Sequence, residues 1–445
     1  MLRISGMCCV LLWLAGCASY GVIQNNPVST QKAVGDLPYS LQSWSEGDRS
    51  GDIALLLAFS GGGTRAAATS YGVLQELRDT VVTIKGQPRR LLDEVDNISA
   101  VSGGSFTAAY YGLHGDGIFE DFEGLFLKRN VQRDLLRGLF NPLRWFSSTG
   151  RTEMAVKYYE NTLFRGATFA DMRRDNHPMI LINASDLGYG VRFSFIQEYF
   201  NLLCSDLRSF PVARAVAASS AVPVLFNPVV VENFPDCGNT KPDWLAEAEA
   251  RAGNDPQMSM LAHGLTSYLD KQERKYAHFV DGGITDNLGL RAVYDIIELS
   301  GGISEFLKKR KRQPPSYIVL IAVNSSTSPE PEMDRTNKEP SLEETIDAMS
   351  DVQLHRYNTA TLALIEESLV RWASELSTPE KPVKGYFIPL SFKDIKERET
   401  RLFLNRMPTS FALSDEQVDK SIAAGHLLLR ENPDYQRLLT ELDRL

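Results

Sequence analysis

The sequence predicts a three-layer α/β/α fold around a mostly parallel central sheet, with further helices toward the C terminus. Three observations carry that expectation. Six short apolar runs read as strands: Ile53–Phe59, Asn97–Val101, Met179–Asn183, Ala277–Val280, Tyr317–Asn324 and Lys384–Leu390. Stretches of helical periodicity separate them, and such alternation favours parallel strands covered by helices on both faces. The apolar fraction, 43% of 445 residues, is enough for a sizeable core. No internal repeat is visible.

The first residues read as an export signal and not as part of the fold. Arg3 supplies the positive start, and Met7 to Leu14 is an apolar core too short to span a bilayer as a helix. It ends in Leu14-Ala15-Gly16-Cys17, which resembles the bacterial lipobox. That resemblance implies that residues 1–16 are removed and that Cys17 is lipidated as the first residue of the mature chain. Ala18, in place of aspartate, implies an outer-membrane destination facing the periplasm. A plain signal peptide with a nearby cysteine is the alternative. Residues 17–52 are polar and turn-rich and read as a tether. No later apolar run has the length of a transmembrane helix.

The catalytic core is expected over residues 53–325. Ile53–Phe59 runs into Ser60-Gly61-Gly62-Gly63-Thr64-Arg65 and then into a helical pattern, Thr64 to Leu77. Asn97–Val101 runs into Ser102-Gly103-Gly104 and a helix from Gly104 to Leu113. Ala277–Val280 runs into Asp281-Gly282-Gly283. Residues 326–445 are expected to add a strand and helices packed on that core. Ser341 and Glu344 stand in capping-box spacing at the start of a helix reaching Leu376, with Leu362, Ile365, Leu369, Trp372 and Leu376 as its packing stripe. Ser414 and Gln417 begin a second, Asp415 to Arg430, which the Asn432-Pro433 turn ends.

The net charge of −9 gives no general attraction to nucleic acid or to anionic lipid. The basic run Lys308 to Arg312 reads as a solvated helix end. Two segments are candidates for lipid contact, with burial in the core as the alternative for each: Leu135 to Phe146, which mixes aromatics with arginines, and Val222 to Val231. Residues 239–275 read as an insertion, either a lid or surface decoration. Cys8 and Cys9 lie in the signal. Cys204 and Cys237 remain, and in an exported domain they suit a disulfide, with two buried thiols as the alternative. Their spacing does not suit zinc, and no cofactor motif is present.

The three strand-end segments have the composition of a serine acyl hydrolase. A serine on a sharp strand-to-helix turn, flanked by small residues, presents its hydroxyl to substrate; Ser102 sits in such a turn. Three glycines after a strand direct backbone N–H groups at one point, which suits a developing oxyanion. A phosphate-binding loop would need G-x-x-x-x-G-K-[ST] or G-x-G-x-x-G, and Gly61-Gly62-Gly63-Thr64-Arg65 fits neither. Asp281 is placed to take the serine proton. Asp286 is its competitor, but it precedes the apolar helix Val293 to Leu299 and suits an N-cap. The six histidines, His114, His177, His263, His278, His355 and His426, occupy no triad-like position.

The set Gly61-Gly62-Gly63-Thr64-Arg65, Ser102 within A-x-S-x-G, and Asp281-Gly282-Gly283 resembles the patatin-like phospholipase family. Ile182-Asn183-Ala184-Ser185-Asp186-Leu187 and Ala217-Ala218-Ser219-Ser220-Ala221-Val222-Pro223 resemble two further family blocks, so the likeness spans roughly Ile53 to Leu290. Ala66 and Ala100 stand where the family usually has glycine. The resemblance implies a Ser102–Asp281 dyad with Gly61, Gly62, Gly63, Thr64 and Arg65 at the oxyanion and substrate site. The expected activity is cleavage of a phospholipid or other lipid ester, with membrane attachment through Cys17. A transacylase would need the same residues. A non-catalytic envelope lipoprotein on the same fold is the reading from another class, and the presence of Ser102 and Asp281 argues against it.

Overall fold

The computed structural model describes residues 20–28, 38–45, 47–134, 150–223, 225–235, 237, 241–328 and 333–444. The signal, Cys17 and the segment Leu135 to Phe146 lie outside the described residues.

Eight strands form the central sheet: β1 Ile53–Phe59, β2 Val95–Val101, β3 Met179–Asp186, β4 Arg192–Ser194, β5 Val229–Glu232, β6 Tyr276–Val280, β7 Tyr317–Asn324 and β8 Lys384–Ser391. Their order is β8-β7-β1-β2-β3-β6-β5, with β4 paired to β3 off that path. From β8 to β3 every neighbour is parallel, while β6 is antiparallel to both β3 and β5. The inner parallel strands are largely buried because both faces are covered: β7 has seven buried residues of eight, whereas the edge strand β8 alternates between buried and exposed positions. Alternation told correctly where the parallel strands lie. It missed β4 and β5, which are too short and too near the edge to show a run of their own.

The helices used below are α1 Gly63–Asp79, α2 Gly103–His114, α3 Arg151–Tyr159, α4 Val212–Ser219, α5 Asp243–Arg251, α6 Pro256–Thr266, α7 Leu290–Leu299, α8 Leu342–Leu376 and α9 Asp415–Arg430. Capping boxes form at Ser341 with Glu344 and at Ser414 with Gln417. The stripe on α8 packs as expected, with Ile365, Leu369, Trp372 and Leu376 all buried. The Asn432-Pro433 turn ends α9 and also begins another helix, Pro433–Leu442. There the Asn432 side chain accepts from the N–H groups of Asp434 and Tyr435.

The C-terminal region is part of the core. β8 extends the sheet, and Gly425 of α9 packs so closely on α1 that a Cβ there would lie 2.3 Å from the Thr69 carbonyl oxygen. Arg312, at the end of the basic run, turns inward and donates to Asp96 Oδ1 at 3.1 Å, so that run is not wholly solvated.

The expected tether is not free over its described part. The Tyr39 hydroxyl exchanges hydrogen bonds with the backbone of Ile180, at 2.9 Å each way. Tyr39 and Trp44 are buried, and their rings meet edge to face. Asn26-Pro27 pairs with Ser205-Asp206 as a short antiparallel ladder. A polar composition suggested a loose linker, but two aromatic anchors and an asparagine-rich strip hold these residues to the core. Cys204 and Cys237 are bonded as a disulfide, with Cα atoms 5.3 Å apart.

Candidate active site

Ser102 stands between β2 and α2 with φ 49° and ψ −120°, a conformation that side-chain-bearing residues rarely adopt. Strain of this kind costs about 1–3 kcal/mol and persists only where surrounding contacts enforce it. Those contacts are visible. A Cβ on Gly104 would lie 2.7 Å from Phe59 Cβ, and one on Gly103 would lie 2.1 Å from the Gly63 carbonyl oxygen. The turn is therefore pressed against the end of β1 and the glycine loop. Ala100, in place of the usual glycine, is fully buried and does not prevent the turn.

The Ser102 hydroxyl donates to Asp281 Oδ2 at 2.8 Å. Asp281 follows β6, and its Oδ1 accepts from the Gly283 N–H at 2.8 Å. Burial pushes the Asp281 carboxyl up to about 6, against the lowering effects of the Gly283 N–H and the Ser102 hydroxyl. A carboxylate in this state is ionised at neutral pH and basic enough to take a proton. Among the described residues, no histidine hydrogen-bonds to Ser102 or Asp281. His278 points outward on β6, and His426 binds Glu76 and Gln75.

Asp286 has a different setting. Its Oδ2 accepts from the Ala292 N–H in the first turn of α7 at 3.0 Å. Gly289 occupies the N-cap position itself, at φ 71°, so the carboxylate caps the helix from three residues upstream. Burial pushes it up to about 6 as well, while the nearby Arg192 guanidinium lowers it.

The glycine loop divides differently from expectation. The Gly61 N–H is already committed to the Asn287 carbonyl at 2.9 Å, and the Thr64 N–H to the Ser410 carbonyl at 2.9 Å. Gly62 precedes α1 and Gly63 opens it, so their N–H groups have no intrahelical acceptor. Both hold positive φ, 138° and 60°. Of the five expected residues, these two keep donors for an incoming oxygen. Arg65 is not at a substrate site. Its guanidinium is buried and donates to the carbonyls of Ser325 at 2.9 Å and Met407 at 2.6 Å. Burial pushes it down to about 10. It ties α1 to β7 and to the C-terminal region.

Two contributors had no role assigned from the sequence, although one of them, Ser219, lies in the Ala217–Pro223 block that resembles the family. The first is Ser219, at the end of α4. Its hydroxyl accepts from the Ser102 N–H at 2.9 Å and donates to the Asn183 carbonyl at 2.6 Å. Its own carbonyl accepts from the Gly282 N–H at 3.0 Å. One residue thus joins the serine turn, the end of β3 and the aspartate loop. A buried Ser-Ser pair after an alanine-rich helix was the available signal.

The second is the loop Thr409–Phe411, which closes a cavity of about 250 Å³ over Ser102. Met154, Val222, Leu225, Phe226 and Phe411 give the cavity apolar walls, and Gln132 and Arg151 stand at its edge. The apolar segment after Val222 is thereby split: Val229 and Val231 enter the core in β5, while Leu225 is 59% exposed. No described residue of the 239–275 insertion lines the cavity. Instead α5 and α6 pack on the core through Leu245, Leu261 and Leu265, and Arg274 pairs with Asp186 between the rings of Tyr189 and Tyr268.

No curated protein sequence matches the chain. Among solved structures, human GIVD cytosolic phospholipase A2 aligns with TM-score 0.42 and 13% identity, covering 88% of this chain and 63% of that one. The same human enzyme in complex with methyl γ-linolenyl fluorophosphonate gives 0.39 and 14%, covering 88% and 59%. VipD from Legionella pneumophila gives 0.33 and 11%, covering 93% and 72%. The chain thus spans less than two thirds of the length of the human enzyme. The family profile described as Patatin-like phospholipase matches residues 57–294, just over half of the chain and the stretch that holds the end of β1, the glycine loop, the serine turn and the aspartate loop. The chain belongs to the patatin-like phospholipase family.

Proposed function

We propose that this chain is a lipid acyl hydrolase of the phospholipase A or lysophospholipase type, working through Ser102 and Asp281. The observation that carries the reading is the 2.8 Å hydrogen bond from the Ser102 hydroxyl to a buried carboxylate, on a strained turn under an apolar cavity. Asp281 Oδ2 takes the hydroxyl proton as Ser102 Oγ attacks the ester carbonyl carbon. Charge develops on the former carbonyl oxygen and meets the N–H groups of Gly62 and Gly63 at the positive end of α1. The intermediate collapses, the leaving alcohol takes the proton from Asp281, and the acyl group stays on Ser102. Water then attacks that ester and gives its proton to Asp281. The fatty acid departs as Ser102 recovers the proton. The apolar walls suit the acyl chain.

We further propose, on the resemblance of Leu14-Ala15-Gly16-Cys17 to the lipobox and on Ala18 after it, that Cys17 is a lipid anchor and that the enzyme works at a bacterial outer membrane, on the periplasmic side. The test is incubation with phospholipid vesicles and measurement of released fatty acid. The expected result is release by the wild type and none above background by a folded Ser102→Ala variant. Equal release by both would refute the assignment, and acyl transfer to an added alcohol at the expense of free fatty acid would make the enzyme a transacylase.

A further inference from the structure

Residues 21–27 are fixed to the body of the protein at a defined place. Gly21 packs against Val230 of β5 so tightly that a Cβ would lie 2.3 Å from Val230 Cγ2. The Val22 carbonyl accepts from Arg214 Nη1 at 3.1 Å, and Gln24 Oε1 accepts from Arg214 Nε at 2.5 Å. Arg214 is fully buried and makes a bidentate pair with Glu153 of α3, at 2.8 and 2.6 Å. Asn25 exchanges hydrogen bonds with the backbone of Glu232, at 2.8 and 2.9 Å. A two-pronged guanidinium, a carboxylate and a strand edge thus clamp residues 21–27. A charge pair this deeply buried is costly to separate, so the clamp holds.

The clamp lies beside the cavity. Glu153 sits between Arg151 and Met154 of α3, which both line it. Val230 lies four positions after Phe226, which lines the cavity with Val222 and Leu225, and Thr152 Oγ1 ties this stretch to α3 through the Asn227 carbonyl at 2.5 Å. Three apolar side chains stand out from this region: Tyr20 at 84%, Leu225 at 59% and Val22 at 42% exposure.

Cys17 precedes Val22 by five residues. At about 3.3–3.6 Å per extended residue, the leash reaches at most about 18 Å. A chain of this length has a radius of gyration of about 22 Å, so so short a leash cannot pass around the body to another face. We propose that the leash and clamp hold the cavity mouth, where Leu225 is exposed, against the lipid surface that carries the anchor, with Tyr20 and Val22 of the clamped strip as further apolar contacts. The enzyme then draws its substrate from its own membrane. This inference rests on the reading that Cys17 is lipidated.

The experiment uses the full-length lipidated protein in phosphatidylethanolamine–phosphatidylglycerol vesicles. Inserting a 20-residue Gly-Ser linker between Ser19 and Tyr20 frees the body to turn, with a root-mean-square span of about 25 Å added. Hydrolysis of lipids in the enzyme's own vesicle should fall at least fivefold, while turnover of a water-soluble short-chain ester and membrane retention stay unchanged. In parallel, Leu225→Cys offers a single free thiol, since Cys17 is acylated and Cys204 and Cys237 are bonded to each other. A polarity-sensitive dye there should shift to the blue on reconstitution, and one at Lys308→Cys, beyond the opposite strand ends, should not. Unchanged hydrolysis after the insertion, or equal dye spectra at both sites, overturns the inference. The mass of the N-terminal peptide separates the two readings: an acylated Cys17 with either of those results leaves the anchor standing, whereas an unmodified Cys17 removes anchor and inference together.

Discussion

Asp281 and Asp286 lie one loop apart, are both buried, and are both pushed up to about 6 by that burial. Their surroundings separate them. Asp281 faces a hydroxyl and one backbone N–H, with no cation beside it. Asp286 faces the first turn of a helix and the Arg192 guanidinium. A raised carboxylate is therefore not in itself a catalytic signature. What distinguishes a base is a partner that can give up a proton at the edge of a cavity, and what distinguishes a cap is a row of N–H groups that cannot.

The sharpest way to break this comparison is the same conservative change at both positions. Asp281→Asn should lower turnover by at least about 10⁴-fold, close to the loss from Ser102→Ala, because removing either member of a nucleophile–base unit disables the whole unit. Asp286→Asn should leave turnover within about twofold of wild type, since an amide oxygen still accepts from Ala292. Turnover on a short-chain ester, with folding checked by circular dichroism, decides it, and equal losses would erase the distinction.

The pH profile sharpens the comparison from another side. Asp281 must be ionised to accept a proton, and its ionisation is delayed to about 6. Activity should be full above that value and fall about tenfold per pH unit below it, in kcat/KM. Asp286→Asn should leave the midpoint in place. A midpoint that moved with Asp286 would transfer the base to it.

Ser219→Ala probes the join between the serine turn and the aspartate loop. It leaves the buried Ser102 N–H without its acceptor, at about 1–3 kcal/mol. Turnover should drop by roughly tenfold, with kcat affected more than KM, because the substrate walls are untouched. Ser219→Thr should restore part of it. Asp286→Ala should act on stability and not on chemistry, with a loss of about 1–2 kcal/mol in denaturant unfolding from a missing cap and turnover nearly kept.

The strand-end segments were legible in the sequence because glycines and a serine at sharp turns leave a local mark. The parallel strands were legible for a similar reason, as short runs rich in apolar residues between helical patterns. The parts that escaped depend on long-range pairing. Ser219 is 117 positions from the Ser102 N–H it accepts, and Arg65 is 342 positions from the Met407 carbonyl it holds. The expectation of a substrate role for Arg65 came from its place in a motif, and only the fold shows its side chain turned into the core. The strip expected as a tether misled by composition over its described residues: Asn25 and Asn26 pair with the strand segments at Glu232 and Asp206, and Tyr39 holds the backbone of Ile180.

The central claim is that Ser102 is the nucleophile of a lipid acyl hydrolase, and labelling by a long-chain alkyl fluorophosphonate tests it most directly. Intact mass should rise by one adduct, peptide mapping should place that adduct on the Ser102 hydroxyl, and the rate should fall with pH below about 6 as Asp281 is protonated. Asp286→Asn should label like the wild type and Asp281→Asn should not label measurably. A folded protein that takes up no adduct, or carries it on another residue, would contradict the account.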